Sequence, residues 1–313
     1  MQTIYLSHPY DPKKIYDQPI VLALGFFDGV HLGHQEVIKK GRELADYYQV
    51  SLAVLTFNHT PRLVYQLIHP KHYHYLSDNA RKIELMEANG VDVLYIAEFT
   101  SAMGAQSPQE FVDNYMVNLN AIHVVAGFDY TYGPKENANM QTLKAHSQGR
   151  FAINEIPKKS LNDHKISSSE IHSQILKGNM EVANQELGYI YQTSGIVING
   201  LKRGRKLGFP TANVAIDDGQ LIPAIGVYVV EFFVQDQWHY GMASIGYNIT
   251  FDDVKELSVE VYILDFNQMI YGERVKIKWH HYLRGEIKFD GIEPLIQQLE
   301  LDQAHTRAYF ELG

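Results

Sequence analysis

Between residues 19 and about 155, short β-rich runs alternate with segments of helical periodicity, and no other feature restricts the fold of this 313-residue chain so strongly. Pro19–Leu24, Ser51–Phe57, Val91–Ala97 and His123–Ala126 read as strands; Gly33–Tyr48, Asn79–Asn89 and Pro108–Leu119 read as helices. Such alternation predicts an α/β domain with a parallel sheet, because parallel neighbours need a long crossover between them. Ligands then bind beyond the carboxyl ends of the strands.

After Ile156 the pattern changes. Two short helical stretches, Ser168–Lys177 and Met180–Leu187, close the first domain or link it to a second. β-Branched and aromatic runs follow at Thr193–Asn199, Val227–Val234, Trp238–Ile245, Ser258–Leu264 and Arg274–Tyr282, separated by Gly, Asp and Asn turns. They predict a small all-β barrel. A last segment, Gly291–Phe310, carries Leu295, Ile296, Leu299 and Ala308 at helical spacing and is expected to cap it. The expected domains are residues 1–184 and 185–313, each long enough to bury its own core.

Composition removes several function classes. The chain has 27 Lys and Arg against 36 Asp and Glu, a net charge of −9, and neither half is basic when it is divided after residue 184. Binding along a nucleic-acid backbone needs clustered cations over many phosphates, so no nucleic-acid partner is expected. With no cysteine there is no disulfide framework, thiolate metal site or cysteine nucleophile, which suits a reducing, cytoplasmic setting. Met1–Tyr5 lacks the charged start of a secretory leader, and no run of about 18 apolar residues occurs, so no membrane association is expected. Oligomeric state is left open.

One segment follows the first strand directly: Gly25-Phe26-Phe27-Asp28-Gly29-Val30-His31-Leu32-Gly33-His34. Its glycines allow close approach of a ligand, and the helix that follows offers unpaired N–H groups and a positive dipole end to an anion. His31 and His34, three apart, face the same way and can donate hydrogen bonds to phosphate oxygens. The bland alternative is a glycine turn with two surface histidines. In the second half, Lys202-Arg203-Gly204-Arg205-Lys206 puts four cations into five residues and runs on through Leu207-Gly208-Phe209 into Pro210-Thr211-Ala212-Asn213. Such a loop supplies cations and N–H groups for phosphates, with hydroxyl and amide oxygens suited to Mg²⁺; a solvated polar turn is the alternative.

These residues carry a resemblance. The H-x-G-H element after a strand resembles the nucleotidyltransferase superfamily. More narrowly, Gly25–His34 with Gln35 is similar to the FAD synthetase half of the bacterial bifunctional riboflavin kinase/FMN adenylyltransferase family. Thr56-Phe57, Gly127-Phe128-Asp129-Tyr130-Thr131-Tyr132-Gly133 and Ile166-Ser167-Ser168-Ser169-Glu170-Ile171 match the same family in order. The Gly204–Asn213 segment resembles the riboflavin kinase signature, and Val259-Glu260-Val261-Tyr262 and Arg284–Phe289 follow it.

The resemblance implies a nucleotidyltransferase-like, Rossmann-like N-terminal domain and a riboflavin kinase barrel with a C-terminal helix. It implies phosphorylation of riboflavin to FMN by ATP and Mg²⁺, then adenylylation of FMN to FAD with release of pyrophosphate. Catalysis falls to Glu260 as kinase base and to His31 and His34 on the ATP phosphates. Nucleotide binding falls to Gly25, Phe27, Asp28, Gly33, Asp129, Ser167, Ser168 and Ser169 in the first domain. In the second it falls to Gly204, Lys206, Gly208, Thr211 and Asn213, with Thr211 and Asn213 also on the metal and Arg284 and Glu286 on the flavin. The sequence departs from the commonest family pattern at Phe26, at His59-Thr60-Pro61, at His172 and at Asn248-Ile249-Thr250-Phe251. A kinase with an impaired N-terminal domain and a non-catalytic flavin-binding regulator are the competing expectations. The cluster His69, His72, His74 reads as a surface loop rather than a metal site.

Overall fold

The computed structural model describes residues 1–66, 73–161, 164–200, 204, 207–249 and 255–312. They form two compact units, Met1–Ser168 and Ser169–Gly313.

The first unit is built on six strands, β1 (Gln2–Ser7), β2 (Ile20–Leu24), β3 (Ser51–Phe57), β4 (Val93–Glu98), β5 (Ala121–Gly127) and β6 (Ala152–Ile156). All pairings are parallel, in the order β1-β4-β3-β2-β5-β6. β2 is buried along its whole length, as its unbroken Ile-Val-Leu-Ala-Leu run requires of a central parallel strand. Helices at Leu32–Tyr48, Asn79–Ala88, Pro108–Val112 and Met140–Ser147 connect the strands. The predicted Pro108–Leu119 helix starts on a Ser107–Glu110 capping box and widens to a π-helix over Asp113–Val117. A small hairpin, β7 (Ser160–Leu161) with β8 (His164–Lys165), follows the sheet.

From β2 the chain moves to β3 and β4 on one side, while β5 and β6 lie on the other. The order reverses between β2 and β5. The Gly25–His34 and Gly127–Gly133 segments leave the sheet at this reversal, the place where open parallel sheets bind ligands. β1, absent from the sequence reading, pairs with β4 at the sheet edge and buries only Ile4 and Leu6.

The second unit is a closed antiparallel barrel of β9 (Gln192–Ile198), β10 (Thr211–Ile216), β11 (Gly226–Val234), β12 (Gln237–Ile249), β13 (Lys255–Ile263) and β14 (Arg274–Arg284), in the order β10-β13-β12-β11-β14-β9. Alternation decides which way each residue points. Ala212, Val214, Val259, Val261 and Ile263 fill the interior, while Thr211, Asn213, Glu260 and Tyr262 face outward. The Ile292–Tyr309 helix closes the chain. The Met180–Leu187 helix belongs with the barrel: the Asn184 amide donates to the Trp279 carbonyl at 2.9 Å and accepts from the Tyr191 N–H at 2.7 Å. The compact units thus divide after Ser168, earlier than the expected division after residue 184.

Candidate functional site

The turn after β2 is held in an uncommon backbone. Phe27 (φ 54°), Gly29 (φ 75°) and Val30 (φ 37°) all lie at positive φ, a strained choice for a β-branched residue. The turn delivers His31 to the N-cap of the Leu32–Tyr48 helix, where its Nδ1 accepts the His34 N–H at 3.3 Å. The two imidazoles stack with centroids 3.6 Å apart. Gly33 makes this possible, since a Cβ there would lie 3.1 Å from His31 Cε1. Gly25 does the same for Phe27, whose ring would lie 2.9 Å from an added Cβ and whose edge meets His34. Phe27 is buried, and so supports His34 from below.

Burial pushes the His31 pKa down to about 4, and that of His34 well below the ordinary imidazole range. Both rings are therefore neutral donors near pH 7. His34 Nδ1 is buried without a hydrogen-bond partner among the described residues.

Asp28 sits inward. Its Oδ1 accepts the N–H groups of Leu76 and Ser77 at 3.0 and 3.2 Å, the Ser77 hydroxyl accepts the Gly29 N–H at 2.9 Å, and the Ser168 hydroxyl donates to the Asp28 carbonyl at 3.0 Å. The structure thus brings Ser168 to the Gly25–His34 turn. Ser167 lies beside it, and exposed Ser169 opens the second compact unit. Asp129 is exposed and pairs with Lys165 at 2.8 Å; Lys165 in turn lies 5.1 Å from the Phe128 ring centroid. Thr60, a departure from the family pattern, is buried, and the His59 Nδ1 meets its carbonyl oxygen at 3.2 Å.

Sequence reasoning missed Lys82. Only 2% exposed, its ammonium donates to the carbonyls of Phe26 (3.0 Å) and Phe57 (3.3 Å) and to the Thr56 hydroxyl (3.3 Å). Its signal was its helix position: Lys82, Leu85 and Met86 form the buried face of Asn79–Ala88. A lysine in such a stripe needs polar partners.

In the barrel, Asn213 lies opposite Glu260 and Thr211 opposite Tyr262 across the β10–β13 ladder, with Ser244 opposite Glu260 on the other side. The Thr211 hydroxyl donates to Glu260 Oε2 at 2.9 Å. A cavity of about 650 Å³ is lined by Thr211, Glu260, Ser244, Arg284, Glu286 and Leu299 among others. A second, of about 420 Å³, is lined by Thr211, Pro210, Phe266, Met269, Ile270 and Tyr271. Thr211 lines both. Gly200 gives the Asn213 amide its place, since a Cβ there would lie 2.3 Å from Asn213 Nδ2. Gly204 accepts the Leu207 and Phe209 N–H groups, and Gly208 turns at φ 86°. Lys206, Thr250 and Phe251, with His69 and His72, lie outside the described residues. His74 is exposed, and among the described residues no group of three or more His, Asp or Glu is arranged to hold a metal ion.

Arg284 spends its guanidinium on the terminal helix: Nε and Nη2 reach Asp302 at 2.7–3.1 Å, and Nη1 donates to the Gly285 carbonyl at 3.0 Å. Asp302, 1% exposed and unnoticed in the sequence, also accepts from the Gln298 amide at 2.9 Å. Glu286 stands over Gly246, whose missing Cβ leaves it room.

Two family models match the chain, FAD synthetase over residues 13–170 and riboflavin kinase over residues 187–310. The chain is 51% identical over 310 residues to a bifunctional riboflavin kinase/FMN adenylyltransferase of Listeria monocytogenes, covering 99% of this chain and 98% of the relative. A Bacillus subtilis protein of the same description is 40% identical, with the same coverage. A solved structure described as a macrolide-efflux protein from Streptococcus pneumoniae superposes with a TM-score of 0.90 at 36% identity, covering 98% of this chain and 99% of its own. Among the described residues no helix is long and apolar enough to cross a membrane. A parallel-sheet unit and a closed barrel, each matched by its own model and both carried by full-length relatives, show that the chain belongs to the bacterial bifunctional riboflavin kinase/FMN adenylyltransferase (FAD synthetase) family.

Proposed function

We propose that the barrel transfers the γ-phosphoryl group of ATP to the terminal ribityl hydroxyl of riboflavin, and that the parallel-sheet unit joins the resulting FMN to the adenylyl group of a second ATP. The observation that carries the first step is the Thr211–Glu260 pair on the wall of the larger cavity, with Thr211 also lining the smaller. The larger, walled by Arg284, Glu286 and the terminal helix, suits a flavin; the smaller, with Ile270 and Tyr271, suits an adenine. Glu260 takes the hydroxyl proton as that oxygen bonds to the γ-phosphorus, and the bond to the β,γ-bridging oxygen breaks to release ADP. Thr211 holds the carboxylate in place through its hydroxyl.

The oxygen donors of Thr211 and Asn213 fit a hard cation such as Mg²⁺ shared with substrate phosphates, and its charge would neutralise the phosphate oxygens. Gly204, Gly208 and Lys206 complete the phosphate loop.

In the first unit an FMN phosphate oxygen attacks the α-phosphorus of ATP, and the α,β-bridging bond breaks to release pyrophosphate. His31 and His34 donate to the leaving oxygens as neutral imidazoles. Ser167, Ser168 and Ser169 hold the terminal phosphates, and Gly25, Phe27 and Gly33 keep the imidazoles in their stacked pose. Asp129 faces the nucleotide, whereas Asp28 fixes the turn. No covalent intermediate is needed; positioning and charge stabilisation suffice. A cysteine-free chain fits a cytoplasmic setting.

Paired variants test the assignment. Glu260→Gln is expected to lower riboflavin phosphorylation by roughly 10²–10⁴-fold with adenylylation of supplied FMN unchanged. His31→Ala is expected to do the reverse, by on the order of 10²–10³-fold. Loss of both activities in either variant contradicts the division of labour.

A further inference from the structure

Parallel strands end with carbonyl oxygens pointing toward the ligand crevice, and carbonyls repel phosphate. Here Phe57 O, at the end of β3, and Phe26 O, two residues beyond the end of neighbouring β2, both accept from the Lys82 ammonium, and Phe26 O also accepts from the Thr56 hydroxyl at 2.7 Å. Two residues beyond Phe26 comes Asp28, a carboxylate only 6% exposed. Its Oδ1 accepts two backbone N–H groups, and the Lys82 ammonium, bonded to the Phe26 carbonyl two residues earlier, is a cation whose field favours its ionised form. The same ammonium lies 4.5 Å from the Phe26 ring centroid and acts on His34.

We propose that Lys82 is a positioning residue of adenylyl transfer, whose buried positive charge offsets the Phe26 and Phe57 carbonyls and the nearby Asp28 carboxylate so that the Phe26–His34 turn accepts a triphosphate. Lys82 does not touch the reacting atoms. It acts through Phe26 and Asp28, and the inference rests on the adenylyl-transfer reading of the first unit. Its consequence is specific: removing the cation leaves an unbalanced negative group in the turn, and removing the anion as well restores the balance.

The test uses the full chain with FMN, ATP and Mg²⁺, with riboflavin phosphorylation by the same preparation measured alongside. Lys82→Met is expected to raise the KM for ATP in adenylylation by roughly tenfold or more, with the KM for FMN and the kinase reaction unchanged. The double variant Lys82→Met with Asp28→Asn, which keeps an Oδ1 acceptor for Leu76 and Ser77, is expected to recover most of that loss. A double variant no better than Lys82→Met, or an unchanged KM for ATP in Lys82→Met, overturns the proposal and leaves Lys82 a purely structural residue. Absence of FAD from the unsubstituted chain would overturn instead the reading on which the proposal stands.

Discussion

Asp28 and Lys82 show how burial tunes single residues in this chain. Desolvation raises the Asp28 pKa to about 6 and lowers that of Lys82 to about 8, each opposed by the other's charge, with Asp78 also supporting the lysine. As pH rises through about 8, Lys82 loses its proton while Asp28 is already ionised. The KM for ATP in adenylylation is therefore expected to climb above pH 8, and to stay flat in the double variant that removes both charges. Steady-state kinetics from pH 6.5 to 9 check this; an identical alkaline rise in the double variant would show that another group titrates. His31 and His34, neutral across this range, do not produce the rise.

At the scale of elements, β14 and the terminal helix form one wall of the larger cavity because Arg284 and Asp302 join them. Asp302→Ala leaves a largely buried guanidinium unpaired, a change that costs about 3–5 kcal/mol. It is expected to lower the denaturant midpoint of the barrel and to raise the KM for riboflavin, with adenylylation of supplied FMN unchanged. An unaltered KM for riboflavin would show that the helix is not a wall of the flavin site.

Elements also show how far the sequence could be read. β2 and β3 were legible because their apolar runs are continuous, and the barrel strands because they alternate. β1 was not, since an edge strand with only Ile4 and Leu6 buried gives a short alternation at the very start of the chain. β10 lies inside a segment whose glycines and cations have the composition of a loop, although Ala212 and Val214 alternate with Thr211 and Asn213. The Thr211–Glu260 hydrogen bond depends on the β10–β13 register, which one-dimensional spacing does not contain. Lys82 and Asp302 were overlooked for a related reason: a charged residue on a helix reads as solvated until its neighbours across the fold are known.

For the whole molecule, two compact units each carry the site proposed for one of the two phosphate reactions, and the designs differ. The first uses a strand-to-helix turn with stacked neutral imidazoles; the second uses an outward face of a closed barrel. Neither design needs cysteine or a basic surface, in keeping with an acidic chain that contains no cysteine. The central claim is that both sites work and that the product of one is the substrate of the other. Incubating the purified chain with riboflavin, ATP and Mg²⁺ and separating the flavins by chromatography tests it directly. FMN that appears first and is converted to FAD, with pyrophosphate released, is the predicted result; FMN that accumulates with no FAD, or riboflavin left unchanged, would contradict the account.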